Sequence, residues 1–375
     1  MSVSMSELPE DLLKDILSRL PVKDLLRLRC VSKQWCALID SPIFIKLQLN
    51  RSLQTGTNLN LICTEYGNIF SVDLDMLEGV LKLGGSVPPL DVVEVDYPIN
   101  PFKCEFILTE MKAVTLLNPS TKEYKILPPL PPHNDENFSY DKNWDDEFFR
   151  LFHEIMYDSV GDDYKVVRIV QFKFASGSFS SEIMVYSLRL NMWRRVYDSF
   201  YYYIYLSDAC ERDPCVVVNG ALHLLACEDP LDLFNTVVGF DPVNEVFLEV
   251  EAPSVSGVSN GTLGVLDGCL CILYAINEEY AFELWVMNDY MVKESWTKLF
   301  TVFTVRILNL IRVHHILQCP RVLAYSKINR EVILLQMFGK LVWYDLKEER
   351  GMDLNISSSL VRFNVKSLVK LNHDQ

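Results

Sequence analysis

Histidine is scarce in this chain, six residues in 375, and the sequence holds no C-x-x-C pair and no H-E-x-x-H. Without those spacings a zinc centre has little support. Neither G-x-x-x-x-G-K-[ST] nor G-x-G-x-x-G occurs, so no phosphate cradle or dinucleotide site is expected, and no cofactor. Long hydrophobic runs are missing too. The longest, around Gly261 to Ile276, is interrupted by Asp267, which argues against insertion in a membrane. The opening residues lack the basic-then-apolar pattern of a secretion signal. Ten scattered cysteines read as reduced thiols rather than a disulfide framework, which points to the cytoplasm or nucleus. Positive charge is in deficit, with a net charge of −15. A strongly acidic domain repels phosphate backbones, so nucleic acid is not an expected partner.

What the chain does have is concentrated in its first fifty residues. Pro9 suits the opening turn of a helix, and Glu10 and Asp11 lie where the helix dipole favours negative charge. Pro21 should end that helix at Leu20. Leu8, Leu12, Leu13, Ile16, Leu17 and Leu20 span roughly half its circumference, wider than the ~100° stripe of an ordinary surface helix. A second helix is expected near Val22 to Cys30, and a third from about Ser32 to Asp40, with Ser41-Pro42 closing it. Three short helices cannot hide this much apolar surface among themselves. Periodicity leaves open whether the remainder of the chain or another protein covers it.

The residues themselves carry a likeness. Leu8-Pro9, the Leu20-Pro21 break and Leu28-Arg29-Cys30-Val31-Ser32-Lys33-Gln34-Trp35, closing at Ser41-Pro42-Ile43-Phe44, resemble the F-box. That motif docks a protein onto the Skp adaptor of a cullin–RING ubiquitin ligase. The resemblance implies that Leu8, Pro9, Leu12, Ile16, Leu17, Leu20, Pro21, Leu28, Val31 and Trp35 lie at or just behind an adaptor interface. The module is bounded at residues 4–50. Residues 8–49 hold seven Lys/Arg against five Asp/Glu, a balance of +2 that fits an acidic adaptor.

Beyond a short connection near Gln54 to Asn58, helical spacing gives way to short strands rich in Val, Ile, Leu, Phe and Tyr. One unit recurs: an apolar strand ending in Asp or Asn, a polar turn, then a strand with an early aromatic. Asn118 leads to Tyr124, Asp158 to Tyr164, Ser187 to Trp193 and Asp241 to Phe247. Asn or Asp opens such a turn because its side chain bonds the backbone two residues on. Asn219-Gly220 and Asp267-Gly268 are strong hairpin signals, 48 residues apart, and Asp241 and Asp289 share that offset. With further copies near Asp73 and Asp345, about six units of four short strands are expected over residues 58–375. An all-β propeller of six blades, or seven, follows the small helical module. A twisted sandwich or irregular barrel is the alternative.

The same segments resemble a plant F-box-associated interaction domain: Leu117-Asn118-Pro119-Ser120-Thr121, Asp163-Tyr164-Lys165-Val166-Val167, Trp193 and Val218-Asn219-Gly220-Ala221-Leu222-His223. Likeness is greatest to the pathogen-defence and S-locus branches. It implies a non-catalytic substrate receptor that holds the ligase with one end and a target, such as an immune receptor or other regulatory protein, with the other. Leu224 departs from the family's usual His-Trp step.

Chemistry-bearing patterns are thin. Gly257-Val258-Ser259-Asn260-Gly261 matches a nucleophile elbow by letter but lacks the strand-then-helix context, and reads as a loop. Asp158, Asp162 and Asp163 read as a solvated hairpin rather than a calcium loop. Two insertions are candidates for target binding. Residues 133–150 carry Asp135, Glu136, Tyr140, Trp144, Asp145 and Asp146, acidic and aromatic together. Phe200 to Tyr205 should place Tyr201, Tyr203 and Tyr205 on one face, with Tyr202 and Ile204 on the other. A propeller enzyme and an adaptor-binding scaffold that delivers no target are the rival readings.

Overall fold

A computed structural model describes residues 9–65, 68–82, 93–94, 114–131, 148–173, 179–196, 202–204, 215–228, 236–276, 281–303, 320–337, 339–358 and 360–371. The chain forms two compact units: residues 1–107, 113–127 and 361–375 make one, and residues 108–112 and 128–360 the other.

The first unit opens with helices. Helix α1 (Glu10–Ser18) has Pro9 at its N-cap and Glu10 and Asp11 in its first turn, and α2 (Val22–Leu28) is capped by Pro21. In α3 (Lys33–Ile39) the Ser32 hydroxyl accepts the Trp35 N–H at 3.1 Å. Ser41-Pro42 does not simply close the helical module. It starts a fourth helix, α4 (Pro42–Thr55), because a proline at the first position forfeits no helical hydrogen bond and Ser41 Oγ accepts the Phe44 N–H. Gly56, at φ 61°, ends α4 in the left-handed conformation that a glycine adopts without strain. Leu17, Val22, Leu25, Ile39, Phe44 and Ile45 form the core, and one further member comes from far along the chain, Leu368.

Strands β1 (Leu59–Glu65), β2 (Asn68–Asp73) and β3 (Val93–Glu94) follow, with a helix the repeat pattern did not anticipate, α5 (Leu74–Lys82), packed on β1 and β2. At Asp73 the turn carboxylate accepts the Asp75 N–H and leads into a helix instead of a strand. The hairpin of β4 (Thr115–Asn118) and β5 (Glu123–Ile126) stands as a sheet of two.

The second unit holds four sheets. The first is β6 (Phe148–Asp158), β7 (Asp163–Lys173), β8 (Phe179–Ser187) and β9 (Met192–Val196). The next has β10 (Tyr203–Ile204) and β11 (Cys215–Val218) both on β12 (Ala221–Cys227), followed by β13 (Thr236–Asp241) and β14 (Val246–Glu251). Then come β15 (Val258–Leu266), β16 (Cys269–Ile276), β17 (Ala281–Met287) and β18 (Trp296–Phe303). The last is β19 (Arg321–Tyr325), β20 (Val332–Met337), β21 (Lys340–Asp345) and β22 (Arg350–Ser357). The pairings within these four sheets are antiparallel, consecutive strands lying side by side except that β10 pairs with β12, and β6, β11, β15 and β19 touch in that order. Finally β23 (Leu360–Val365) returns to β1, giving the order β23-β1-β2-β3.

Among the described residues, five sheets have four or more strands, so the propeller has five blades rather than six or seven. The overcount has a physical cause. Each turn marker reports one hairpin, and the Asn118 hairpin gathers no further strands. The runner-up sandwich fails as well, because each sheet of the second unit shares a core with the next. Val167, Ile169 and Val185 meet Leu222, Leu224 and Phe240. Val216, Val237 and Leu225 meet Leu263, Ile272 and Tyr274. Leu266, Leu273 and Leu284 meet Val322, Ile333 and Val342.

The turn chemistry holds in detail. Asn118, Asp158, Asp241 and Asp345 each accept a backbone N–H two residues on. The residue four places after each opener, Lys122, Asp162, Glu245 and Glu349, has positive φ, as does Asn191 after Ser187. None of these five is glycine, so the left-handed position carries no sequence mark. The 257–261 segment is not a loop: Val258 begins β15, and Ser259 Oγ donates to the Ala275 carbonyl.

Candidate functional site

The helical module divides its apolar residues into two populations. Leu17 is buried, and Leu20, Leu28 and Trp35 are half-buried against the same core. Leu12 is 53 % exposed, Ile16 48 % and Val31 60 %, while Pro9 and Pro21 are also exposed. Leu12 and Ile16 are one helical turn apart and form a single stripe on α1. The other expected contact, Leu8, lies outside the described residues. A second stripe was missed because α4 was missed: Ile43, 75 % exposed, and Leu47, 41 %, are likewise spaced by four. Their spacing is readable in the sequence once Pro42 is taken as a helix start.

Polar contacts hold these helices in place. Asp15 on α1 accepts Arg51 Nη1 of α4 at 2.7 Å and Arg19 Nη2 at 2.7 Å, and Arg51 also donates to Ser18 Oγ. Those hydrogen bonds, Arg51 first, hold the Asp15 carboxyl below its usual range. Arg29 at the end of α2 donates to Asp40 beyond α3 at 2.8 Å. The exposed stripes therefore sit on braced helices rather than on a fraying segment.

On the β side, Asp135, Glu136, Tyr140, Trp144, Asp145, Asp146 and Tyr201 lie outside the described residues. Tyr203 is half-buried in β10 with its ring edge-on to Phe179 at 5.5 Å, whereas Tyr202 and Ile204 are core residues. The expected alternation is thus realised at the three described positions.

Several polar groups of the β region are engaged in structural contacts. Asp158 is buried rather than solvated: it accepts the Val160 and Gly161 N–H groups and pairs with Lys165 at 2.9 Å. Asp163, also buried, accepts from the Ser187 hydroxyl and the Arg189 N–H. His223 is fully buried in β12, its Nε2 2.9 Å from Tyr290 Oη, and burial pushes its pKa down to about 4. Gly239 permits this arrangement, since a Cβ there would stand 3.2 Å from His223 Nε2. Leu224, the departure from the family's pattern, is a core residue between blades. The Cys271 thiol, wholly enclosed, is pushed up to about 12. Among the described residues, no group of three or more His, Cys, Asp or Glu is placed to hold a metal, and no helix is long and apolar enough to cross a membrane.

Residues 5–47 match the F-box domain, and residues 60–352 match the F-box associated beta propeller domain. F-box protein CPR1 of Arabidopsis thaliana is 34% identical over 97% of this chain and 89% of its own. F-box protein At4g22390 of the same plant is 31% identical over 92% and 85%. Among solved structures, that of YjhT aligns with 79% of this chain and 94% of its own at 10% identity, but its TM-score of 0.33 carries no argument.

Proposed function

This chain belongs to the F-box proteins that carry an F-box-associated β-propeller domain, and from that premise we propose that it is the substrate receptor of a Skp–cullin–F-box ubiquitin ligase. The helices dock on a Skp-family adaptor, and through it on the cullin–RING ligase. The β region presents a target protein for ubiquitination and proteasomal degradation, in the cytoplasm or nucleus. The receptor is not itself an enzyme in this reading. Its contribution is proximity, which raises the target's effective concentration beside the ubiquitin-charged enzyme.

One observation carries the reading: apolar stripes stay exposed on braced helices whose core, with Leu368 as a member, is packed without them. Fully burying a valine, leucine or isoleucine side chain gains roughly 1.5–3 kcal/mol, and about half of each is already covered here, so Leu12, Ile16 and Val31 together contribute on the order of 2–5 kcal/mol to a docking face. Leu8, Pro9 and Pro21 belong with them at the interface, while Leu17, Leu20, Leu28 and Trp35 support it from behind. Residues 148–150 of the expected insertion belong to β6, so target recognition is assigned to the acidic and aromatic stretch 133–147, with Asp135, Glu136, Tyr140, Trp144, Asp145 and Asp146, and secondarily to Tyr201 and Tyr203. A basic partner surface with pockets for aromatic anchors suits that composition.

Affinity purification with the proteasome blocked tests both halves. Leu12→Asp with Ile16→Asp should weaken adaptor capture about 100-fold or more and leave the melting temperature near that of the parent. Deleting residues 134–146 should spare adaptor capture and reduce target capture. Undiminished adaptor binding by the double variant would refute the docking face. Full target recovery after the deletion would refute the acidic stretch as the recognition element.

A further inference from the structure

The core of the helical module is not completed by the helices. Leu368 is buried among Leu17, Val22, Leu25, Ile39, Phe44 and Ile45, and Val369 packs against the same cluster. Asn364, Lys366, Ser367, Val369 and Leu371 are each tied down at their backbone or side chains. Lys366 donates its N–H to the Asn58 carbonyl and its ammonium pairs with Asp73. Asn118 Nδ2 donates to the Ser367 carbonyl at 3.2 Å and to the Val369 carbonyl at 2.8 Å. The Ser367 N–H reaches Ser120 Oγ, and the Leu371 N–H reaches Glu123 Oε2. Just upstream, Asn364 Nδ2 donates to Asn60 Oδ1 across 304 residues of sequence. The segment therefore bonds to β1, to the β4–β5 turn and to the helical core at once.

We propose that residues 366–371 are a structural part of the adaptor-docking module, so that its helices reach their packed arrangement only when this segment has been made and β23 has joined β1. A chain lacking the segment has a core open at the position of Leu368 and no tie between the helices and the Asn118 turn. The docking face is then competent only in a receptor whose β region is already complete. This coupling keeps chains that lack the segment from occupying the adaptor. The packing argument stands on the intramolecular contacts alone; the consequence for the adaptor rests on the receptor reading above.

Hydrogen exchange on the full chain separates the two. In Leu368→Ala, amides of α1 to α4 should exchange at least about ten-fold faster than in the parent, while those of β15 to β22 keep their protection. Asn118→Ala removes the two bonds to the segment from the other side, and should act in the same direction by about three-fold. It serves as the deciding variant should Leu368→Ala fail to fold. Helical amides as protected as the parent's, or a loss spread evenly over every sheet, would overturn the proposal. A titration with purified Skp-family adaptor follows on the same variants, and weaker binding in step with the lost protection is the expected result. Lost protection with unchanged adaptor affinity would overturn the coupling. Failure of the parent itself to bind would instead sink the receptor reading and leave the packing result intact.

Discussion

The helices of the first unit and the four sheets of the second treat apolar surface in opposite ways. In the sheets, one blade supplies the cover for the next. Strand β12 is buried along its whole length, with Leu222 and Leu224 facing one neighbouring core and Leu225 facing the other. In the helical module, the closed core is small, one of its members comes from position 368, and Leu12, Ile16, Val31, Ile43 and Leu47 are left exposed. The contrast is what a divided task requires. A stack of blades is close to self-sufficient, because each sheet can lay a face against its neighbour and share a core with it. A group of short helices has neither the area nor the length to be so, and part of its apolar surface is left exposed.

That contrast can be broken most forcefully in the sheets. Trp343 is among the largest fully buried side chains, set in β21 of the last blade. Trp343→Ala should cost about 3–5 kcal/mol of stability, read as a fall in the denaturant midpoint, while adaptor affinity measured well below the transition stays unchanged. If adaptor affinity fell in proportion, the two regions would not be separable in function.

Acid sharpens the comparison next. Burial holds His223 neutral, with its pKa near 4 against an ordinary value of 6.5. The unfolded chain therefore binds a proton that the folded chain refuses. The stability this group contributes is present above about pH 6.5 and is lost as pH falls towards 4, by an amount on the order of 3 kcal/mol. Melting temperature followed from pH 7 to pH 4 should drop more steeply in the parent than in His223→Gln. Parallel curves would show that His223 titrates normally.

The smallest effect belongs to the helices. Ser41 Oγ caps α4 through the Phe44 N–H at 3.3 Å, so Ser41→Ala should cost about 1 kcal/mol. Helicity and adaptor binding should fall slightly, with blade stability untouched, as read by far-ultraviolet and near-ultraviolet circular dichroism together. A near-ultraviolet change as large as that of Trp343→Ala would contradict the separation.

Some of this was legible locally and some was not. The openers Asn118, Asp158, Asp241 and Asp345 stand in the sequence because their side chains bond their own backbone neighbours. Asn219-Gly220 and Asp267-Gly268 are legible for a similar reason, since both turn residues need positive φ. Helix α4 was hidden by Pro42, which looks like a stop and acts as a start. Helix α5 was hidden behind Asp73, whose turn carboxylate serves a helix as readily as a hairpin. The acidity of the 158–163 turn was visible, but not that Lys165 and the Val160 and Gly161 N–H groups would bury Asp158.

Local periodicity and turn chemistry by themselves determined that a short helical segment with surplus apolar residues precedes a run of β-hairpins, because those signals act over a few residues. Tertiary structure alone decided which leucines face outward, that Leu12 is exposed while Leu17 is buried, that the hairpins gather into five blades, and that Leu368 completes a core begun at Leu17. Burial is set by contacts between residues tens of positions apart and the strand return by contacts such as Asn364 to Asn60, 304 positions apart, and such contacts leave no mark on either partner's neighbours in the chain.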